Sequence, residues 1–485
     1  MKTLQIKILQ YVKIIFLILA IVAASFSLPI ATALYRKEFD LVAPFAIPML
    51  ATLLVAGALF FVYRREAIVL STRGGIVLVA LAWSTTGVLG ALPLYFSGYF
   101  ASFADALFES VSGFTTTGST ILEDVDSVPM TVHLWRCQMH WLGGMGIVAL
   151  SVALFPLLGV GGFRLIKSET TGPNKGKVTA KITETAKILW FIYLSLTILQ
   201  FVLLMLAGMG FFESLCHSFA TLGTGGFSTK GASIGGFNSP SIDIICSIFM
   251  LLAGVNFSLY FLLFTGHIKD ILINSEFKAY LKIVAVATLV IAFSIMPRYG
   301  FLTSLRHSFF QVSSIITTTG FATVDYDTWP HLAKLVILVL MFVGGCSGST
   351  AGGVKVVRWL ILKKQAKNEM SRLLSPHGIF SIQLDGRPGR KDVVYSIAGF
   401  IYCYFLLTLI TAVVAVVDGA SLTSGITAAL ALVGNVGPGF GKVGPTGNFA
   451  FFSSGAKWVF CFAMLAGRLE LYTMIIYFLP DFWKK

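Results

Sequence analysis

Apolar positions along the chain gather into long unbroken runs, without the polar interruptions every turn or every second residue that mark a soluble domain. Runs at Ile14–Leu34, Leu41–Val62, Gly75–Phe96, Ile188–Met209, Ile242–Phe264 and Val393–Val417 reach the ~20 residues that cross a ~30 Å hydrocarbon core. Shorter apolar stretches lie between and after them, at Ser102–Phe114, Phe211–Ala220, Thr303–Ile316 and Ser421–Leu432. These are too short to cross and have the length of re-entrant segments. After the first two spans one plan recurs four times: a span, a half-span, a glycine-bearing turn and a second span. The predicted fold is an all-α integral membrane protein with two N-terminal spans (1–66) and four pore repeats, at 67–163, 164–266, 267–365 and 366–485, around one pore. That amounts to about ten full spans and four re-entrant half-helices. The basic stretch Met1–Lys13 precedes a run of full span length without a convincing small-residue cleavage site, so it is read as part of a retained first helix.

The turns after the half-spans carry the chemistry. They read Thr115-Thr116-Thr117-Gly118-Ser119, Ala220-Thr221-Leu222-Gly223-Thr224, Thr317-Thr318-Thr319-Gly320-Phe321 and Ala431-Leu432-Val433-Gly434-Asn435. Aligned on the glycine they superpose without gaps, with Phe114 and Phe219 four residues before it and Phe108 and Phe310 ten before it. A cation crossing hydrocarbon needs its water replaced by oxygens, and a ring of backbone carbonyls does this in potassium filters. Glycine reaches the φ > 0 geometry that turns carbonyls inward and lets strands approach closely. A half-helix aiming its C-terminus at the pore adds about half a negative charge there, which favours cations over anions. The candidate filter is therefore Thr116, Thr117, Gly118; Thr221, Leu222, Gly223; Thr318, Thr319, Gly320; and Val433, Gly434, Asn435, holding K+ ions and no covalent cofactor.

Each second span carries a small pair near its middle: Gly143-Gly144, Ala253-Gly254, Gly344-Gly345 and Ala466-Gly467. Small residues at mid-membrane permit close helix packing. The third differs, because Gly344, Gly345, Cys346, Ser347, Gly348, Ser349, Thr350, Ala351, Gly352 and Gly353 forfeit roughly 1 kcal/mol of helix propensity per glycine. Irregular backbone at that depth is tolerated only inside protein or along a watery cavity, so this segment is predicted to break the helix, lie in the pore and gate it. Arg468, one residue after Ala466-Gly467, is an ionisable group deep in a span and counts as functional, against the alternative of a structural pair with Glu470 or loop carbonyls. Arg136 and Lys442 are placed nearer the outer mouth, in solvent.

Composition and charge fit this picture. Of 485 residues 56% are hydrophobic and only 12% charged, and the formal charge of +14 is concentrated in segments such as Arg164–Lys187 and Lys355–Lys391, which alternate with acid-bearing connections. By the positive-inside rule these basic segments and both termini are cytoplasmic, and the basic excess needs no nucleic acid to explain it. The six cysteines stand singly, with no disulfide or metal-site spacing.

The four turns, the glycine-rich break and Ala466-Gly467-Arg468-Leu469-Glu470 resemble the Trk/Ktr/HKT superfamily of potassium transporters over essentially the whole chain. The resemblance implies potassium uptake across the bacterial cytoplasmic membrane, a homodimer in the lipid bilayer with one pore per subunit, and gating by a cytosolic nucleotide-binding ring protein of the TrkA type. It sets Arg468 beside the intramembrane loop, where its charge would impede cations in a closed pore. Plant relatives with Ser at the first repeat's glycine carry sodium, so Gly118 points to potassium. Two rivals come from other classes. Gly345-Cys346-Ser347-Gly348 is similar to the nucleophile motif of rhomboid proteases, but the only histidine after it is His377, in a basic loop, so no enzyme activity is expected. A secondary transporter coupling cation uptake to protons or sodium would want a buried carboxylate or histidine relay, for which Glu109, Glu213, His140 and His217 are unevenly spread candidates.

Overall fold

The computed structural model describes residues 2–62, 72–146 and 182–484, apart from 379, 381, 386, 389 and 390. Helices joined by turns and loops make up these residues, and the strand pairing among them is a two-residue antiparallel ladder, Gln383–Leu384 against Arg387–Pro388. Six described helices are long and apolar enough to cross a membrane, and the bent pair Pro240–Ala253 and Phe257–Phe264 makes a seventh.

Of the predicted ten, the second spans of repeats 3 and 4 are interrupted, and that of repeat 1 continues past Gly146 outside the described residues. Met130–Trp141 runs into a π-helical turn, Leu142–Gly146. His331–Met341 stops before a long loop and the chain resumes as Val356–Leu374. Ser454–Arg468 ends at Leu469, and Leu471 then sits at φ 49°. In repeat 2 the two halves meet at 92°. The breaks in repeats 2, 3 and 4 and the π-helical turn of repeat 1 fall at or beside the small pairs read from the sequence.

The half-helices form where predicted, at Phe103–Phe114, Phe211–Leu222, Phe301–Ile316 and Leu422–Gly434. Those of repeats 1 and 4 start at a serine cap, those of repeats 2 and 3 at Gly210 and Gly300. Ser102 and Asp105 form a reciprocal capping box, and Ser421 accepts from the Ser424 amide. The N-terminal hairpin of spans packs on repeat 1, where the Glu38 carboxylate accepts from the Met130 and Thr131 amides at 3.2 and 3.1 Å, capping the second span from outside. Phe26 meets Trp135 edge-on at 4.7 Å in the same contact. Ion pairs then join neighbouring repeats, Lys457 to Asp105 at 2.6 Å and Arg306 to Asp243 at 3.4 Å.

Two expectations about boundaries need correction or restriction. The division at 365/366 cuts the helix Val356–Leu374, which passes unbroken from a buried, mostly apolar start, at Val356, Val357, Arg358 and Ile361, to an exposed basic end. The divisions near 66 and 163 and residues 164–181 of the basic segment lie outside the described residues.

Candidate ion pathway

The four half-helices end in the same local structure. Thr117, Gly225, Thr319 and Val436 each donate their amide five residues back, to the carbonyls of Ser112, Ala220, Ser314 and Ala431, at 2.8–2.9 Å. The residue before each, Thr116, Thr224, Thr318 and Asn435, is left-handed with φ 53–54°. The residue after each is a glycine, Gly118, Gly226, Gly320 or Gly437, with φ between 80° and 99°.

This register corrects the alignment read from the sequence. It is right for repeats 1 and 3, but in repeats 2 and 4 it stands three residues too early. Thr221, Leu222 and Val433 belong to the half-helices, and Gly223 and Gly434 occupy the place of Thr115 and Thr317. Thr221 spends its hydroxyl on the His217 carbonyl one turn back. Asn435 does fall in the turn, as the equivalent of Thr116. Both segments carry several glycines, and only the backbone angle separates the one that must be left-handed from its neighbours.

The four turns close on one another. A Cβ on Gly118 would strike the Gly225 carbonyl, one on Gly226 the Thr319 carbonyl, one on Gly320 the Val436 carbonyl and one on Gly437 the Thr117 carbonyl. Each repeat thus abuts the next in the order one, two, three, four and back to one. The turns are buried, with Thr115, Thr116, Thr117, Thr317 and Thr319 all without solvent exposure. Asn435 Nδ2 donates to Thr117 Oγ1 at 2.8 Å, which ties repeat 4 to repeat 1.

Side chains behind the ring hold it. Glu109 accepts from Thr120 Oγ1 and the Ile121 amide and pairs with Arg136 at 2.8 Å, while Arg136 lies 4.2 Å from the centre of the Phe227 ring. Arg136 is 1% exposed, so its expected place in solvent is corrected: the carboxylate of Glu109 compensates the charge and lets it be buried. Lys442 is exposed, as expected. His140 bridges the Gly113 carbonyl and the Phe227 amide, and His217 bridges the Glu213 carbonyl and Ser228 Oγ. Further out, Tyr326 donates to the Gly439 carbonyl at 2.8 Å; burial, with Asp327 and Asp325 nearby, raises its pKa and keeps the phenol protonated for that bond.

Below the ring sits the glycine-rich segment of repeat 3. It is a hairpin whose neck is closed by Gly344 N to Val354 O and Val356 N to Gly345 O. Its returning arm, beside the neck, reaches the ring: the Gly352 amide donates to Thr318 Oγ1 at 2.7 Å and Gly352 packs on the Gly434 carbonyl. The break in repeat 2 supplies acceptors: Gly254 takes the Cys346 amide, and Ala253 takes Thr350 Oγ1. These are end carbonyls of a helix, which otherwise lack partners. Arg468 donates to Thr350 O at 2.7 Å and to Gly143 O and Gly144 O at 2.9 and 3.2 Å, joining the hairpin to repeat 1. Glu470 pairs with Arg358 instead, at 2.5 Å.

Three groups here were not singled out by sequence. Glu276 accepts from Ser347 N, Ser347 Oγ and Val357 N at 2.8, 2.7 and 3.1 Å. Lys355 and Arg358 were read as the start of a basic cytoplasmic face, yet both are buried, Lys355 on the Ala351 carbonyl and Arg358 stacked 3.8 Å from the Phe400 ring. An acid in the first turn of a helix after an Asn cap is ordinary, so Glu276 gave no signal. Ser347, the nucleophile of the protease reading, donates to this carboxylate rather than to a histidine.

Residues 43–485 match the family model TrkH, described as a cation transport protein. The chain belongs to the TrkH family of cation transport proteins. It is a multi-pass membrane protein of a transport family, not of an enzyme family. Within the family it is similar to the Trk system potassium uptake protein TrkH of Salmonella typhimurium, 40% identical over 440 residues, covering 89% of this chain and 90% of that one. The Vibrio parahaemolyticus Trk system potassium uptake protein TrkH is 37% identical over 482 residues, covering 98% and 99%. The crystal structure of the potassium transporter TrkH from Vibrio parahaemolyticus superposes with a TM-score of 0.87 at 35% identity, over 99% of this chain and 100% of that one.

Proposed function

We propose that this TrkH-family chain takes up potassium across the bacterial cytoplasmic membrane, through a pore whose filter is the fourfold ring of turns. The single observation that carries the reading is the cyclic order of carbonyl against glycine, which gives four inward-curving strands around one axis. Four half-helix C-termini directed at that ring supply a cation-favouring field. Potassium as the ion comes from the relatives named for its uptake and from Gly118 in the first repeat. The filter residues on this reading are Thr116, Thr117, Gly118; Thr224, Gly225, Gly226; Thr318, Thr319, Gly320; and Asn435, Val436, Gly437, with K+ held by their carbonyls.

The hairpin Gly344–Gly353 is the gate and Arg468 its latch, because the hairpin abuts the ring while Arg468 ties it to repeat 1. A cytosolic nucleotide-binding regulator of the TrkA type would act on the exposed basic part of Val356–Leu374, with Lys363, Lys367 and Arg372, and the chain would pair as a homodimer with both termini cytoplasmic. Conduction is favoured over proton-coupled transport because Glu109, His140 and His217 each serve a bond that fixes the ring. The test is flux into proteoliposomes holding only this chain, with potassium, rubidium, sodium and lithium compared. Potassium and rubidium should pass well ahead of sodium and lithium. Equal passage of all four would reject the filter, and uptake that stops when a proton gradient is dissipated would reject simple conduction.

A further inference from the structure

We infer that Glu276 is the positioning residue that couples the cytoplasmic helix to the gate hairpin. The inference rests on reading Gly344–Gly353 as the gate. The carboxylate lies in the first turn of Ser275–Tyr299, is 7% exposed, and reaches across to two other pieces of backbone. Its Oε1 accepts from the Ser347 amide and from the Val357 amide, and its Oε2 from Ser347 Oγ. Val357 is in the first turn of Val356–Leu374, whose leading amides have no partner within their own helix. An anion placed there is stabilised by the helix dipole as well as by the bond. One side chain therefore caps the start of the cytoplasmic helix and holds the hairpin at Ser347.

The geometry makes these two functions inseparable. The neck bonds Gly344 to Val354 and Gly345 to Val356 join the two arms of the hairpin, so its base follows the start of the helix. Further holds on the hairpin, from Ala253, Gly254, Phe257, Thr318 and Arg468, belong to elements that frame the pore. Glu276 is a hold shared with the helix itself, and the one that grips the far side of the hairpin at Ser347, whereas Lys355 on the Ala351 carbonyl and Val356 on the Gly345 carbonyl bind it near the neck. A displacement of Val356–Leu374 strips the carboxylate of the Val357 bond and pulls on Ser347 through the same oxygen. A regulator that moves the exposed end of the helix thereby loosens the hairpin without touching it.

Glu276→Gln keeps the shape but replaces one accepting oxygen with an amide nitrogen that cannot accept from an N–H or O–H, and removes the charge that makes these bonds strong. Rubidium flux into proteoliposomes without any regulator should rise on the order of tenfold in Glu276→Gln, with the order of preference among potassium, rubidium, sodium and lithium unchanged. Ser347→Ala, which loses one of the three bonds, should give a smaller rise. The reference is the chain lacking Gly348–Gly352. If that deletion raises flux and neither Glu276→Gln nor Ser347→Ala does, the coupling role of Glu276 is wrong while the gate stands. If the deletion itself leaves flux at the parent's level, the gate reading fails and this inference with it. Should Glu276→Gln not elute as a folded protein, Ser347→Ala decides alone, and parental flux in it overturns the proposal.

Discussion

Replacing Gly437 and Gly434 by alanine, each alone, separates the backbone register from the one suggested by sequence spacing. Gly437 has φ 99°, and a Cβ there would lie 2.8 Å from the Thr117 carbonyl oxygen. The left-handed angle costs an L-residue about 1–2 kcal/mol, and the contact must be relieved by moving the carbonyl that repeat 1 contributes to the ring. Gly434 is the last residue of its half-helix, and its Cβ would find the Tyr404 hydroxyl at 3.1 Å and a Val436 methyl at 3.2 Å. Those side chains can yield, and alanine gains up to about 1 kcal/mol of helix propensity. If about 1.4 kcal/mol of the strain at 437 appears as lost discrimination, potassium preference over sodium falls about tenfold. Flux ratios in proteoliposomes should show that fall for Gly437→Ala and near-parental selectivity for Gly434→Ala. The opposite pattern would refute the register and with it the assignment of Gly226 and Gly437 to the ring.

Arg468→Ala removes donors from three carbonyls; a net loss of about 3 kcal/mol would move the balance between closed and open pores roughly a hundredfold, so regulator-free flux should rise with ion order unchanged, and flux no higher than the parent's would put the latch elsewhere. Arg136→Ala strands the Glu109 carboxylate in a dry site and should cost about 3–5 kcal/mol, read as a lower melting temperature in detergent; a parental melting temperature would show that the pair is not a brace. Gly118→Ser forces a side chain against the Gly225 carbonyl and should shift preference from potassium towards sodium, measured by the same flux ratios. Neutralising Lys363, Lys367 and Arg372 together should abolish co-purification with a nucleotide-binding ring protein, and full retention would leave that face to anionic lipid.

The described spans, the half-helices and the glycine-rich hairpin were legible because each is written in a run of residues: twenty apolar positions, a dozen apolar positions behind a Ser or Gly cap, or five glycines in one stretch. The register of the four turns was half legible. Repeats 1 and 3 repeat the same Thr-Thr-Thr-Gly, whereas repeats 2 and 4 offer glycines at 223, 225 and 226 and at 434, 437 and 439, and spacing alone cannot say which has φ > 0. The buried charges were not legible at all. Arg136 and Arg358 find Glu109 and Glu470 from distant segments, and Glu276 meets a loop 71 residues on. Whether a charge in such a chain faces water or another charge depends on those encounters, which local pattern does not encode.

The ring of turns is made by one polypeptide whose quadrants are not all alike: Thr-Thr-Gly, Thr-Gly-Gly, Thr-Thr-Gly and Asn-Val-Gly. In a pore assembled from four identical subunits, one codon change alters every quadrant together. Here it alters a single quarter. If the ring is the proposed filter, variation can therefore retune ion discrimination in steps, and each quadrant can be altered experimentally while the other three serve as an internal reference.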